Sequence, residues 1–166
     1  MPEARLRYRP LPGVFDAGTG KVHSLALAFP TEVAVSSARD ILDTYLHFRD
    51  GGRVDPVPVS DAFWGELAAG RHPQLDQGRL MTAFTFSEPW SMWERHPAGE
   101  ELVMLLEGAA TLVLDEAGQE RTVELRRPGS YVLVPPGVWH TARTSVPTTM
   151  LFLTPGAGTQ HRPVGD

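Results

Sequence analysis

An all-β domain, built as an antiparallel sandwich or barrel behind a partly helical N-terminal extension, is predicted by three features of the sequence. After Gly78 the chain breaks into short apolar runs of strand length. The breaks fall at turn signals such as PAG, DEAG, RRPG and PPG, and no helix-period segment interrupts the runs. Brief strands punctuated in this way pair antiparallel rather than around a parallel sheet, which needs long crossover connections.

Before Gly78 the pattern differs. In SSARDILDTYLHFRDGG, Ile41, Leu42, Tyr45 and Leu46 fall at helical spacing, with serines available to cap the start and Gly51 and Gly52 to stop it, so a helix is predicted over 36–52. RVDPVPVS must be extended or looped, because each proline disfavours helix in the residue before it. A second, shorter helix is predicted in SDAFWGELAAG, capped by Ser60 and ended by Gly70, with Phe63/Leu67 and Trp64/Ala68 sharing faces.

The strands then follow as Leu80–Phe86, Trp90–His96, Glu101–Leu106, Ala110–Leu114, Arg121–Leu125, Tyr131–Val134, His140–Thr144 and Thr149–Leu153. The run LVMLL is apolar on both strand faces, so its outer face needs cover from the N-terminal helices or a second subunit. The tail PGAGTQHRPVGD has neither periodicity nor apolar mass and reads as loose. The organisation predicted is an extension over 1–78, a barrel over 79–155 and a flexible tail over 156–166, together one structural domain.

Composition narrows the function classes. A chain of 166 residues with 42% hydrophobic content can bury a core without a metal or disulfide staple, so any metal it carries is functional. With no cysteine there are no disulfides, zinc knuckles, iron–sulfur clusters or cysteine nucleophiles. A net charge of −5 argues against a nucleic-acid partner, despite the small cluster of Arg5, Arg7 and Arg9. The basic start is followed by no apolar h-region, and no apolar run approaches the roughly 18 residues of a membrane span. The expectation is a cytoplasmic protein with no membrane partner.

Charge gathers in WERHPAGEELVMLLEG, Trp93 to Gly108. Strand alternation puts Glu94 and His96 on one face, with Met92 beside them as the pocket candidate, while Trp93 and Arg95 point the other way. Glu101 opens the next strand after the PAG turn. Glu100 has the wrong phase and reads as a solvated turn residue. In GSYVLVPPGVWH, Gly129 to His140, a strand enters a proline–glycine turn and returns carrying His140. If these segments pair, His96, Glu101 and His140 converge. Arg143 is out of phase with His140 and points outward, and Ser130 lacks a base for a hydrolase triad. His23, His47, His72 and His161 lie outside the pattern and receive no role.

These two stretches resemble the paired motifs of the cupin superfamily. The first family motif, HxH, three or four residues, E, six residues, G, appears as Glu94, His96, Glu101 and Gly108. The second, G, five residues, PxG, two residues, H, three residues, N, appears as Gly129, Pro135, Gly137 and His140. About 20 residues separate the motifs, and the likeness covers roughly Leu80 to Pro155. It implies a double-stranded β-helix, the cupin jelly roll, holding a divalent transition metal (Fe, Mn, Ni, Co, Cu or Zn) through Glu94, His96, Glu101 and His140, and commonly a homodimer.

Two positions depart from the family pattern: Glu94 replaces a histidine, and Thr144 replaces the terminal asparagine. As a ligand, Glu94 would bring a dication's net charge from about +1 to about 0. Off the metal, it would leave a two-histidine, one-carboxylate set with open positions and could act as a nearby base. The function this implies is a small-molecule metalloenzyme, dioxygenase- or isomerase-like. The alternatives are a non-catalytic ligand-binding or sensor module and a metal-free assembly unit, since a fold does not specify a reaction.

Overall fold

The computed structural model describes residues 37–165. The arginine cluster and His23 lie outside the described residues. The compact unit that carries the paired motifs begins at Ala38.

Its first elements are two paired strands. β1 (Thr44–Phe48) and β2 (Val54–Pro58) form an antiparallel hairpin, and β1 also pairs with β3 (Arg79–Phe86). The helix expected over 36–52 is therefore absent. Its single turn is spent at Asp40, whose carbonyl accepts from the Thr44 amide at 2.9 Å and whose carboxylate accepts from the Leu42 amide at 2.9 Å. From Thr44 onward burial alternates residue by residue, with Tyr45 and His47 each only 2% exposed. Helical spacing over so short a stretch adds little stability in isolation, and sheet pairing on both sides of β1 overrides it. Pro56 and Pro58 donate nothing to a ladder and confine β2 to the sheet edge.

The second predicted helix is realised as α1 (Phe63–Ala68), one and a half turns long. Ser60 does not cap it through its side chain. Instead its carbonyl accepts from the Phe63 amide, and the Gly70 amide closes the end on Leu67. Phe63 anchors this helix in a small apolar cluster with Tyr45, Leu75 and Leu80, so the helix covers the inward side of β1 and β3. It does not cover the outer face of LVMLL, one of the two covers, with a second subunit, that the sequence pattern offered.

The remaining strands are β4 (Met92–Arg95), β5 (Glu101–Glu107), β6 (Ala110–Glu116), β7 (Gln119–Leu125), β8 (Tyr131–Val134), β9 (Trp139–Arg143), β10 (Thr148–Pro155) and β11 (Gln160–Pro163). They complete two antiparallel sheets, ordered β2-β1-β3-β10-β5-β8 and β11-β4-β9-β6-β7. The core between them is built from alternate residues: Val103 and Leu105 of β5, Leu112 and Leu114 of β6, Ala142 of β9, and Met150 and Phe152 of β10. The tail expected to be loose contains β11, which pairs with β4 along its whole length. Among the described residues, no helix is long and apolar enough to cross a membrane.

Gly108 shows why the turns carry glycine. It closes the β5–β6 turn at φ +83°, and a Cβ there would collide with the Pro147 carbonyl oxygen. Thr144, the residue in the motif's asparagine position, locks the same corner by donating to the Ala109 carbonyl at 2.8 Å.

Candidate metal centre

Four side chains from four positions in the chain meet between the sheets. Glu94 comes from β4, His96 from the turn after it, Glu101 from the start of β5 and His140 from β9. Each offers one donor atom, and these atoms all lie within 4.8 Å of one another. Pairing explains part of the convergence, because Glu94 and His140 are direct cross-strand partners. A backbone bond supplies another part: the Gly137 amide, in the proline–glycine turn at φ +74°, donates to the His96 carbonyl at 3.1 Å. The second motif's turn thereby fixes the first motif's histidine.

His140 Nε2 lies 2.8 Å from Glu101 Oε2 and 3.4 Å from Glu94 Oε1, and His96 Nε2 lies 3.3 Å from Glu101 Oε2. These separations are those of neighbouring donors around an ion with bonds of about 2.1 Å. Nevertheless His96 Nε2, His140 Nε2 and Glu101 Oε2 are all buried without a properly aligned hydrogen-bond partner. Three orphaned polar atoms facing a common point are costly unless something charged sits there. The residues present therefore fit a divalent cation.

The far sides of the rings and carboxylates are engaged. His140 Nδ1 lies 3.3 Å from the Val138 carbonyl, to which it donates, directing the Nε2 lone pair inward when the ring is neutral. His96 Nδ1 is 2.9 Å from Thr159 Oγ1, and Thr154 Oγ1 donates to Glu101 Oε1 at 2.5 Å. His161 Nε2, on β11, stands 3.6 Å from Glu94 Oε2 and directly across the ladder from Glu94.

Without an ion, the cluster polarises itself. Burial disfavours charge on both Glu101 and His140. Their mutual proximity outweighs it, holding the Glu101 carboxyl down to about 2 and pushing His140 up to about 10. Glu94 is likewise shifted down, its burial outweighed by His140 and His161, and His161 is shifted up by Glu94.

The cluster opens into a cavity of about 970 Å³ whose walls include Trp64, Phe84, Phe86, Trp90 and Phe152. Met92, the sequence-derived pocket candidate, lines it too. Glu100 is exposed and gives only its carbonyl, to Arg79 at 2.8 Å. Arg143 points outward to Glu120, Ser130 bonds to the Arg127 carbonyl, His47 to the Gln77 carbonyl and His72 to Glu66.

Sequence reasoning missed Thr159 and His161. Their two-residue spacing matches that of Glu94 and His96 across the ladder, a signal that a tail read as loose conceals. Arg162, next along the strand, packs over Trp93 and Trp139 and bonds Asp115 at 2.7 Å, pinning the strand.

Residues 86–154, somewhat under half the chain, match the family model described as "Cupin domain", and this match supports membership of the cupin superfamily. Similar solved structures include a cupin-2 domain containing protein from Shewanella frigidimarina, 16% identical over 46% of this chain and 70% of that one, with a TM-score of 0.40. A cupin superfamily protein from Desulfitobacterium hafniense is 24% identical over 46% of this chain and 65% of that one, with a TM-score of 0.39. A variant of oxalate decarboxylase from Bacillus subtilis is 20% identical over 52% of this chain but 24% of that one, with a TM-score of 0.43. No curated protein matches the sequence.

Proposed function

We propose that this cupin binds one divalent transition metal through His96, Glu101, His140 and Glu94, and uses it on a small organic molecule admitted through the adjoining cavity. The observation that carries the reading is the convergence of three buried, unpartnered donor atoms, His96 Nε2, His140 Nε2 and Glu101 Oε2, at the end of an open cavity. A divalent ion held there supplies Lewis-acid polarisation of a bound oxygen. The chain's own residues do the rest: Val138 and Thr159 orient the two imidazoles, Thr154 holds Glu101, and the aromatic side chains give the cavity an apolar wall.

Opening to a cavity supports small-molecule chemistry over a sealed structural ion. The test is elemental analysis of the purified protein, then titration of the stripped protein with Zn, Mn, Fe, Co, Ni and Cu. About one ion per chain is expected, and a folded protein that takes up none of them would sink the reading.

The reading extends to a homodimer. Leu102, Met104, Leu151 and Leu153 share an outer sheet face with Tyr131 and Leu133, which are 57% and 51% exposed. Light scattering should give twice the chain mass, and Leu133→Glu should halve it.

A further inference from the structure

From the cavity's walls and charges we infer that its ligand is an aromatic or otherwise flat apolar molecule without net negative charge, seated with a donor group toward the metal cluster. The inference rests on the metal reading above and narrows it to a substrate class.

Size comes first. A cavity of about 970 Å³ stands at the upper end of the roughly 300–1,000 Å³ that holds organic ligands, far more than a two- or three-carbon acid requires. Its walls are the second observation. Phe84 stacks on Phe152 with ring centroids 4.8 Å apart, Trp90 lies 5.6 Å from Phe152, Phe86 5.7 Å from Trp90, and Trp64 6.0 Å from Phe84. All five rings line the cavity, and Trp64 reaches it from α1 while remaining 46% exposed. Such a surface gains most from a ligand that offers it another ring or a flat apolar body.

Charge decides the rest. Among the described residues, the cavity is lined by Asp76, Glu88, Glu94 and Glu101 and by no lysine or arginine. Glu94 and Glu101 bring a divalent ion's charge to about zero. Asp76 and Glu88 are exposed members of the same lining and add further negative charge to it. A carboxylate- or phosphate-bearing ligand would meet no guanidinium or ammonium there. Its desolvation would go uncompensated, because His161, the lining imidazole outside the metal cluster, already faces Glu94 at 3.6 Å. A neutral ligand avoids this cost, and an ammonium would find both carboxylates and ring faces.

The test uses zinc-loaded protein, which is redox-silent, and three probes that share one chelating head: 4-ethylcatechol, dopamine and 3,4-dihydroxyphenylacetate. They differ only in whether the remote end is neutral, cationic or anionic. Tryptophan fluorescence from Trp64 and Trp90 and the thermal shift of the protein report binding without turnover. The neutral and cationic probes should bind at least about tenfold more tightly than the acid, with the cation gaining further at low salt. In Asp76→Asn/Glu88→Gln, both exposed lining residues outside the metal cluster, the acid's disadvantage should shrink at least about threefold.

Equal or tighter binding of the acid, an unchanged ratio in the double variant, or failure of all three probes while zinc is retained would each overturn the inference and leave the metal reading standing. Protein that holds no zinc would remove the metal reading itself, a distinct outcome visible before any probe is added.

Discussion

Glu101 and His140 stand on strands of the paired-motif core, β5 between β10 and β8 and β9 between β4 and β6, whereas Glu94 lies on the four-residue β4, whose outer neighbour is β11, an edge strand supplied by the C-terminal tail. The first pair is almost fully buried and is held by the barrel itself, through the β9 backbone and Thr154. Glu94 and His96 depend on the tail: Thr159 orients His96, and His161 faces Glu94. The cluster is thus half barrel and half strap. Glu94 and His96 are therefore held only as well as the tail strand beside them is pinned. Here Arg162, packed over two tryptophans and bonded to Asp115, does the pinning.

The largest effect should come from the barrel side. His140→Ala removes a donor that no neighbour can replace, and metal affinity measured by chelator competition should fall more than about a hundredfold, beyond the range of orienting residues. A loss under tenfold would mean that the ion sits elsewhere. On the strap side, Thr159→Val keeps the shape but removes the partner of His96 Nδ1, and affinity should drop about tenfold with the circular dichroism unchanged. If Thr159→Val matches wild type while truncation after Gly156 abolishes metal uptake, the strap acts by covering β4 rather than by orienting His96.

Protonation gives a third probe. In stripped protein Glu101 is depressed from 4.5 to about 2, so its stabilising effect is complete above 4.5 and is lost as pH falls toward 2. His140 is raised from 6.5 to about 10, so its effect is complete below 6.5 and fades as pH rises toward 10. Metal-free protein should therefore unfold at its highest temperature between about 4.5 and 6.5 and at a lower one at pH 9. Metal binding at pH 7 should release about one proton, read by calorimetry in buffers of different ionisation enthalpy. A flat melting profile across this range would show that the cluster contributes little to stability without its ion. The smallest change should follow His161→Ala: this ring is 52% exposed and solvent screens its pair with Glu94, so affinity should shift by no more than about fivefold.

The parts of the site visible in the sequence are those with fixed local spacing. Glu94 and His96 stand two residues apart and share a face, Glu101 follows one turn later, and Gly108 must be glycine because a neighbouring carbonyl occupies the place of its Cβ. LVMLL is apolar on both faces, so it is the phase of Glu101 that carries along the strand to the inward Val103 and Leu105. What stayed hidden depended on partners far along the chain. TYLHF carries the spacing of a helix turn as well as that of a strand, and only the flanking ladders of β2 and β3 select the strand. QHRP has no apolar signature at all, because β11 is held by a guanidinium between two indoles and by the β4 ladder rather than by burying a hydrophobic face.

The sequence by itself determined an antiparallel all-β unit and the turns that shape it, since these follow from periodicities of two residues and from backbone angles that only certain residues adopt, while the four side chains of the cluster were marked by the resemblance to two family motifs. Tertiary structure alone decided that the tail completes the centre, that the short helix closes an aromatic cavity instead of covering the outer sheet, and that no lysine or arginine lines that cavity among the described residues. Those outcomes depend on which edges find each other across long stretches of chain, and long-range pairing is set by the packing of the whole rather than by any local run.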